Sequence, residues 1–469
     1  MDCTLPKKNF CPKTLDKTFF DNLPTNVKQI GKNKTYFIKT YGCLANVRDS
    51  QLIKGILNNL GFKEVNDWHN ASLVILNTCA IRQNAENKVL YLLKSLSSLK
   101  RKKNKNLVFG ICGCMAQQKN ILHNIFDNID NINFVFGVHN LYQLPVILQD
   151  VFINKAKSIK ILNKFTLDQN SLSNYQDSKY KALVNIMYGC NHFCTYCIVP
   201  YVRGSIISRP KQIILNEVLS LKKAGYKDII LLGQNVNSYG IDLYPDYHFN
   251  NLLEDVAKIG IDRIRFSTSN PWNFNYEIIH VMQKYKNLMP YIHLPIQSGS
   301  SKILEKMGRK TNLKQYIKLI KYARKNIPNL VVSTDFIVGF PNETWCDFKK
   351  TLKLYKKVKF DNAYTFIYSK RPNTPASKIS DKISYKVKQK RLFKLNKLVK
   401  KYAKLNNEKY VGQVVQVLVD GFSKTNKKVL TGYSFNWKVV NFLGTASPGQ
   451  IVNVKITNSS QFSLNGKQV

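Results

Sequence analysis

Residues 189–197 read G-C-N-H-F-C-T-Y-C and set Cys190, Cys194 and Cys197 at the spacing C-x3-C-x2-C. Three thiolates so close together can hold three irons of a 4Fe-4S cluster and leave the fourth iron open to another ligand. The other chemistry open to this triplet is a structural zinc site completed by His192 or another residue. Three further cysteines each follow an apolar run: Cys43 in Y-G-C-L-A-N, Cys79 in N-T-C-A-I-R and Cys114 in G-C-M-A-Q. Cys112 competes with Cys114, but Cys112 continues its apolar run, whereas Cys114 follows Gly113 at a turn and is better placed to face outward. Cys3, Cys11 and Cys346 have no such setting.

Periodicity predicts the elements that must position these thiols. Between residues 34 and 150 an apolar run, a turn and a helix-like stretch repeat, with runs at 35–41, 73–76 and 107–111. Strand alternating with helix predicts parallel βαβ units, and in an open parallel sheet the loops after the strands share one edge, where ligands bind. Cys43, Cys79 and Cys114 are therefore expected to meet in space. Residues 163–179, rich in Ser, Asn, Asp and Gln, read as a linker. From residue 180 the alternation resumes, with strands expected at 182–187, 228–232, 263–266, 291–294, 331–338 and 363–367, and helices such as 212–224 and 313–324 between them. Six such units predict a partial or complete α/β barrel with its site at the C-terminal strand ends, and the cysteine triplet follows the first strand. The Lys-rich segment 382–409 keeps a broad cationic face, either plain solvated surface or a track for a phosphate backbone. Beyond residue 411, short strands at 414–419, 429–433, 438–442 and 451–456 predict a small β-barrel. Its Tyr433, Phe435 and Trp437 are either core or platforms for stacked bases.

The chain has 469 residues, which excludes a small disulfide-stapled scaffold, and its 44% hydrophobic content argues against global disorder. Seventy-two basic against 28 acidic residues give a net charge of +44, which favours a polyanionic partner, most plausibly nucleic acid. Most of that charge is diffuse, because 61 of the basic residues are Lys and only 11 are Arg. The arginines say more by their placement: Arg48, Arg82, Arg203, Arg209, Arg265, Arg309 and Arg371 fall in or beside the motifs. The N-terminal residues lack the apolar core of a secretory signal, and no charge-free apolar run of about 18 residues is present, so no membrane segment and a reducing cytoplasm are expected. Free cysteines in that compartment are more often metal ligands or catalytic thiols than disulfides.

The triplet resembles the radical S-adenosylmethionine superfamily, and the wider chain narrows the resemblance. Y-G-C-L-A-N-V-R-D-S, N-T-C-A-I-R-Q-N-A-E-N-K-V, Y-G-C-N-H-F-C-T-Y-C-I-V-P-Y-V-R-G, L-L-G-Q-N-V-N-S-Y-G, H-L-P-I-Q-S-G-S and T-D-F-I-V-G-F-P-N-E-T are similar to the methylthiotransferases, and most similar to their tRNA-acting branch. The resemblance implies an N-terminal methylthiotransferase domain at 34–151, a radical S-adenosylmethionine partial barrel at 176–408 and a TRAM-like RNA-binding barrel at 411–469. It implies two 4Fe-4S clusters, one on Cys190, Cys194 and Cys197 that binds S-adenosylmethionine, the other on Cys43, Cys79 and Cys114 that carries the sulfur. One S-adenosylmethionine would methylate that sulfur, and a second would yield a 5'-deoxyadenosyl radical that takes hydrogen from carbon 2 of the adenine. The substrate would be tRNA bearing N6-dimethylallyladenosine at position 37. Tyr196 is placed to pack on the adenine of S-adenosylmethionine, while Gln234, Asn235, Gln297, Ser298 and Asp335 are placed at strand ends for its polar groups or for loop support. A monomer is expected, and no residue pattern names an electron donor or a sulfur source. Three positions depart from the family pattern: Ile206 stands where an acid is usual, Asn270 for His and Asn342 for Gly. The competing readings are a methylthiotransferase acting on threonylcarbamoyl-adenosine in tRNA or on a ribosomal protein, and a non-catalytic iron-sulfur protein that binds RNA.

Overall fold

A computed structural model describes residues 23–80, 83–162 and 175–469, so most of the expected linker, and Arg82, Cys3 and Cys11, lie outside the described residues. The chain forms two compact units, Met1–Asp177 with Tyr201–Arg209, and Ser178–Pro200 with Pro210–Val469. Among the described residues no helix is long and apolar enough to cross a membrane.

The first unit is built on one parallel sheet of six strands: β1 (Thr35–Thr40), β2 (Lys63–Glu64), β3 (Leu73–Thr78), β4 (Val108–Gly113), β5 (Phe134–Phe136) and β6 (Ser158–Lys160), in the order β2-β1-β3-β4-β5-β6. The sequence runs had predicted three of these. The others are too short, or too polar as in Lys63–Glu64, to show a period of their own. Every residue of β3 and β4 is buried, the mark of a parallel sheet covered on both faces. On one face α1 (Leu44–Asn59) and α4 (Leu144–Phe152) contribute Leu52, Ile53, Ile56, Leu144, Ile147 and Leu148 to the core. On the other, α2 (Gln83–Lys102) and α3 (Lys119–Asn128) contribute Val89, Leu93, Leu96, Leu122 and Ile125.

In the second unit the six expected strands are present as β7 (Lys181–Asn185), β8 (Asp228–Leu232), β9 (Arg263–Phe266), β10 (Tyr291–His293), β11 (Val331–Val338) and β12 (Asn362–Ile367). They form two parallel sheets in chain order, β7-β8-β9 and β10-β11-β12. The two are joined where Met289 donates its N–H to Ile264 and Ile264 donates its own to Asn287. The sixth strand does not pair back to the first among the described residues, so the barrel is partial. Helices α5 (Lys211–Lys223), α6 (Phe249–Ile259), α7 (Tyr276–Lys284), α8 (Leu313–Asn326) and α9 (Trp345–Val358) cross between strands, and α10 (Tyr385–Glu408) follows the last.

The C-terminal strands β13 (Val414–Phe422), β14 (Leu430–Ser434), β15 (Val439–Leu443), β16 (Ile451–Ser459) and β17 (Leu464–Gln468) close into a barrel in the order β13-β14-β15-β17-β16. The last strand had not been predicted. It carries one large apolar residue, Leu464, and is held by pairing on both sides, parallel to β15 and antiparallel to β16. The barrel aromatics differ from expectation too. Tyr433 and Trp437 stack on each other with centroids 4.0 Å apart, and the buried Arg265 lies 3.1 Å above the Trp437 ring. Lys181 sits 4.8 Å from the Tyr433 ring, and Arg263 donates to the Tyr433 carbonyl at 2.8 Å. These rings anchor the small barrel to the strands of the larger one through desolvated cation–π contacts, which leaves them little free face for a base.

Candidate functional site

Cys43, Cys79 and Cys114 come from the turns after β1, β3 and β4, three adjacent strands whose register aligns Thr40 with Asn77, and Thr78 with Gly113. Two glycines make the turns. Gly42 has φ +136 and Gly113 φ +93, and a Cβ on Gly42 would stand 2.8 Å from the Cβ of Cys79, a conformation and an approach that need glycine. Cys43 caps α1, where the helix dipole favours negative charge. Asn46 ties the turns together: its Nδ2 donates to Asn77 Oδ1 at 3.3 Å and to the Thr78 carbonyl at 3.2 Å, while Asn77 Nδ2 donates back to the Asn46 carbonyl at 2.8 Å. Burial raises the Cys114 thiol to about 11 against the pull of Arg203, and Cys79 and Cys43 raise it further, so both of those sulfurs lie within electrostatic reach of Cys114. Cys112 points into the core beside Phe134 and Phe136.

Arg203 belongs to this same unit and was legible only as part of V-R-G. Its Nε donates to Cys114 Sγ at 3.2 Å and its Nη2 to Asp49 Oδ2 at 2.6 Å, with both side chains buried. Burial alone would lower its pKa, but Asp49, Cys114 and Cys43 outweigh that and hold the guanidinium well above its ordinary value. The cation thus stands ready to balance thiolates. His139 beside it is pushed down to about 4, first by burial and then by Arg203, so it is neutral at pH 7. Ile206 is buried in the same segment.

In the second unit the loop after β7 carries Cys190, Cys194 and Cys197. Phe193 adopts φ +31, and Cys197 N–H donates to the Cys194 carbonyl at 2.8 Å. The loop is stitched down where Thr195 N–H donates to the Met307 carbonyl and Ala376 N–H to the Thr195 carbonyl. Burial raises Cys190 to about 11 and Cys197 to about 12, and both also feel Cys194. Arg309 was not foreseen as a site residue. Its Nη1 reaches Tyr196 Oη at 3.2 Å and Cys194 Sγ at 3.8 Å, its Nη2 donates to the Pro295 carbonyl at 2.5 Å, and its guanidinium lies 4.8 Å from the Trp272 ring. Among the described residues no three His, Cys, Asp or Glu side chains gather closely enough to hold a single metal ion. Each cysteine set instead has a buried arginine within hydrogen-bonding reach of one of its sulfurs, Arg203 at Cys114 and Arg309 at Cys194, and such a donor set suits thiolates that hold a cluster.

The expected polar residues divide into two kinds. Gln297, at φ +71, buries its Oε1 without a hydrogen-bond partner, as do Ser269 Oγ and Arg309 Nε, and such orphaned atoms suit a polar ligand at the strand ends. Asp335 is half-buried and faces His293 Nε2 at 3.5 Å, and Gln234 is half-buried after β8. The other two support loops. Asn235 is fully buried, with its Nδ2 2.8 Å from His192 Nε2 and its Oδ1 accepting the Asn270 N–H at 2.8 Å. Ser298 is fully buried and accepts the Ser300 N–H at 3.2 Å. Tyr196 packs its ring beside Ile303, Met307 and Phe340. Asn342 sits at φ +63, where asparagine is among the residues that best replace glycine.

Comparison with known proteins places this geometry. Residues 35–137 match the uncharacterised protein family UPF0004, residues 184–355 the radical SAM superfamily and residues 408–469 the TRAM domain. The tRNA-2-methylthio-N(6)-dimethylallyladenosine synthase of Malacoplasma penetrans is 50% identical over 449 residues, covering 95% of this chain and 91% of the relative. That of Bacillus cytotoxicus is 46% identical, covering 95% and 88%. The chain belongs to the tRNA-2-methylthio-N(6)-dimethylallyladenosine synthases. As in that family, the radical SAM domain implies S-adenosylmethionine and 4Fe-4S clusters as cofactors. The radical S-adenosylmethionine methyltransferase TsrM of Kitasatospora setae shares the fold with this synthase, at a TM-score of 0.55 and 11% identity, over 73% of this chain and 75% of that one.

Proposed function

We propose that this synthase converts N6-dimethylallyladenosine at position 37 of tRNA to its 2-methylthio derivative, using two S-adenosylmethionine molecules per product. Cys190, Cys194 and Cys197 would hold the cluster that binds S-adenosylmethionine, and Cys43, Cys79 and Cys114 the cluster that carries sulfur. The observation that carries this reading is the delivery of one cysteine from each of three adjacent parallel strands to a single sheet edge, in a chain 50% identical to a synthase of that name. When bound, the cofactors supply an electron, a 5'-deoxyadenosyl radical and the methylthio sulfur, which an inert aromatic C–H bond requires. The chain's own part is to fix the thiolates and balance their charge. Arg203 and Arg309 set positive charge beside the two thiolate sets. One chain carries both cysteine sets and the TRAM barrel, which supports a monomer, and a tRNA substrate is consistent with work in the cytoplasm. Nucleoside mass spectrometry of tRNA from a deletion strain should show the methylthio nucleoside gone and its N6-dimethylallyl precursor accumulated. An unchanged profile, or loss of a methylthio-threonylcarbamoyl nucleoside instead, overturns the reading.

The α10 helix adds an RNA track to this reading. Lys386, Lys390, Lys394, Lys397, Lys401 and Lys404 are all exposed and recur at steps of four or three, so they share one face over roughly 27 Å of helix. Phe393, 73% exposed, lies among them, and Lys394 caps the ring of the exposed Trp345 at 4.7 Å. A triple Lys390→Gln/Lys394→Gln/Lys397→Gln variant should bind tRNA more weakly and lower the slope of log K against log salt by about 2 to 3. An unaltered slope assigns the face to solvent.

A further inference from the structure

At the opposite edge of the first unit's sheet from its cysteines lies a cavity of about 680 Å³. It is formed by the segments that lead into β3, β4, β5 and β6, so the length of a six-residue strand, roughly 20 Å, separates it from the cysteine turns. Five lysines line it, Lys34, Lys100, Lys105, Lys155 and Lys157, and no Asp or Glu does. Chance spacing of a Lys-rich composition does not account for how the inner two are held. Lys100 is pinned by a 2.8 Å bond to Asn133 Oδ1, an oxygen that also accepts the Phe109 N–H at 3.1 Å. Lys34 donates to the Ile30 carbonyl at 2.9 Å and lies 5.6 Å from the Phe152 ring. Both are half-buried, while Lys105, Lys155 and Lys157 stand exposed at the rim. Among the described residues none of the five makes an ion pair with a carboxylate, and Asp150, on the helix that ends in this cavity, is taken up by Ser158 and Lys160.

Ammonium groups converging on one concavity repel one another, and a bound polyanion relieves that repulsion. The depression of the Lys100 pKa, by burial first and by Lys157 second, reports the same crowding. We propose that this cavity is a binding site for a ligand bearing several consecutive phosphates, either a stretch of RNA backbone or a free polyphosphate compound. The amide groups of Asn131 and Asn133 on the cavity wall offer neutral donors between the cations. The site is independent of the methylthiolation reading, since it uses none of the cysteines.

Inorganic tripolyphosphate titrated calorimetrically into the purified full-length chain at low salt tests it. The wild type should bind one equivalent. A Lys100→Gln/Lys157→Gln variant should bind at least tenfold more weakly, and so should the rim variant Lys105→Gln/Lys155→Gln, whose exposed side chains carry no packing. Lys318→Gln/Lys321→Gln, which removes the same charge from α8, should bind as the wild type does. Equal loss in all three variants, loss in none, or many weak equivalents on the wild type overturns the site. A second arm identifies the source. Displacement of bound tRNA by tripolyphosphate, together with weaker tRNA binding by the cavity variants, assigns the site to RNA backbone, and unaltered tRNA binding assigns it to a free polyphosphate.

Discussion

Replacing Cys114 with alanine should lower the methylthio product by at least roughly a hundredfold, reduce the iron of the reconstituted protein from about eight to about four per chain, and still permit 5'-deoxyadenosine to form. The neighbouring thiol cannot rescue it. In an unbroken strand Cys112 and Cys114 would share a face, because side chains alternate with a period of two. Gly113, at φ +93, ends β4 between them. Cys112 stays in the core with Phe134 and Phe136, and Cys114, though also buried, turns away from them toward Arg203. Cys190→Ala should give the complementary pattern, half the iron and no 5'-deoxyadenosine, since its set binds S-adenosylmethionine. Iron analysis and chromatography of the cleaved nucleoside separate the two. A Cys114→Ala protein that keeps eight irons, or a Cys190→Ala protein that still cleaves S-adenosylmethionine, rejects the assignment of the cysteines to two separate clusters.

The placement of Cys43, Cys79 and Cys114 after adjacent strands was readable from sequence because their setting is local: an apolar run, a turn residue, then the thiol. The same locality made the six strands of the partial barrel readable, three of them to the residue, at 228–232, 263–266 and 331–338. What could not be read depends on partners distant in the chain. Lys63–Glu64 is a strand only because β1 lies beside it, and Leu464–Gln468 only because β15 and β16 leave a gap to close. For Asn235 and Ser298 the strand ends left ligand contact and loop support both open, and in the structure Asn235 reaches across to His192 and Asn270, while Ser298 is turned toward Ser300 and Thr351 on α9. Which way a side chain turns at a strand end is decided by the neighbouring loop, which periodicity does not report. Trp437 and Tyr433 illustrate the same limit, since nothing near them in sequence announces Arg265.

Arg203 is the residue whose role depends most on such distant partners, and its replacement by methionine has the second large expected effect. Methionine keeps much of the length and apolar bulk but removes the charge, leaving Asp49 buried without its cation. Removing one member of a buried pair costs roughly 3–5 kcal/mol, which for a unit of this size lowers its melting temperature by about 10 °C. Asp49→Asn should cost less in the iron-loaded protein, because the guanidinium then still faces Cys114 and the other thiolates of its set. The two variants therefore rank in a definite order. Arg203→Met should melt earlier and retain less iron in the cluster of Cys43, Cys79 and Cys114 than Asp49→Asn does, while the iron held by Cys190, Cys194 and Cys197 is unchanged in both. Calorimetry and iron analysis on the reconstituted proteins read both quantities. If the order reverses, or if the two variants lose iron equally, Arg203 serves only to pair with Asp49, and its contact with Cys114 does nothing to hold the cluster.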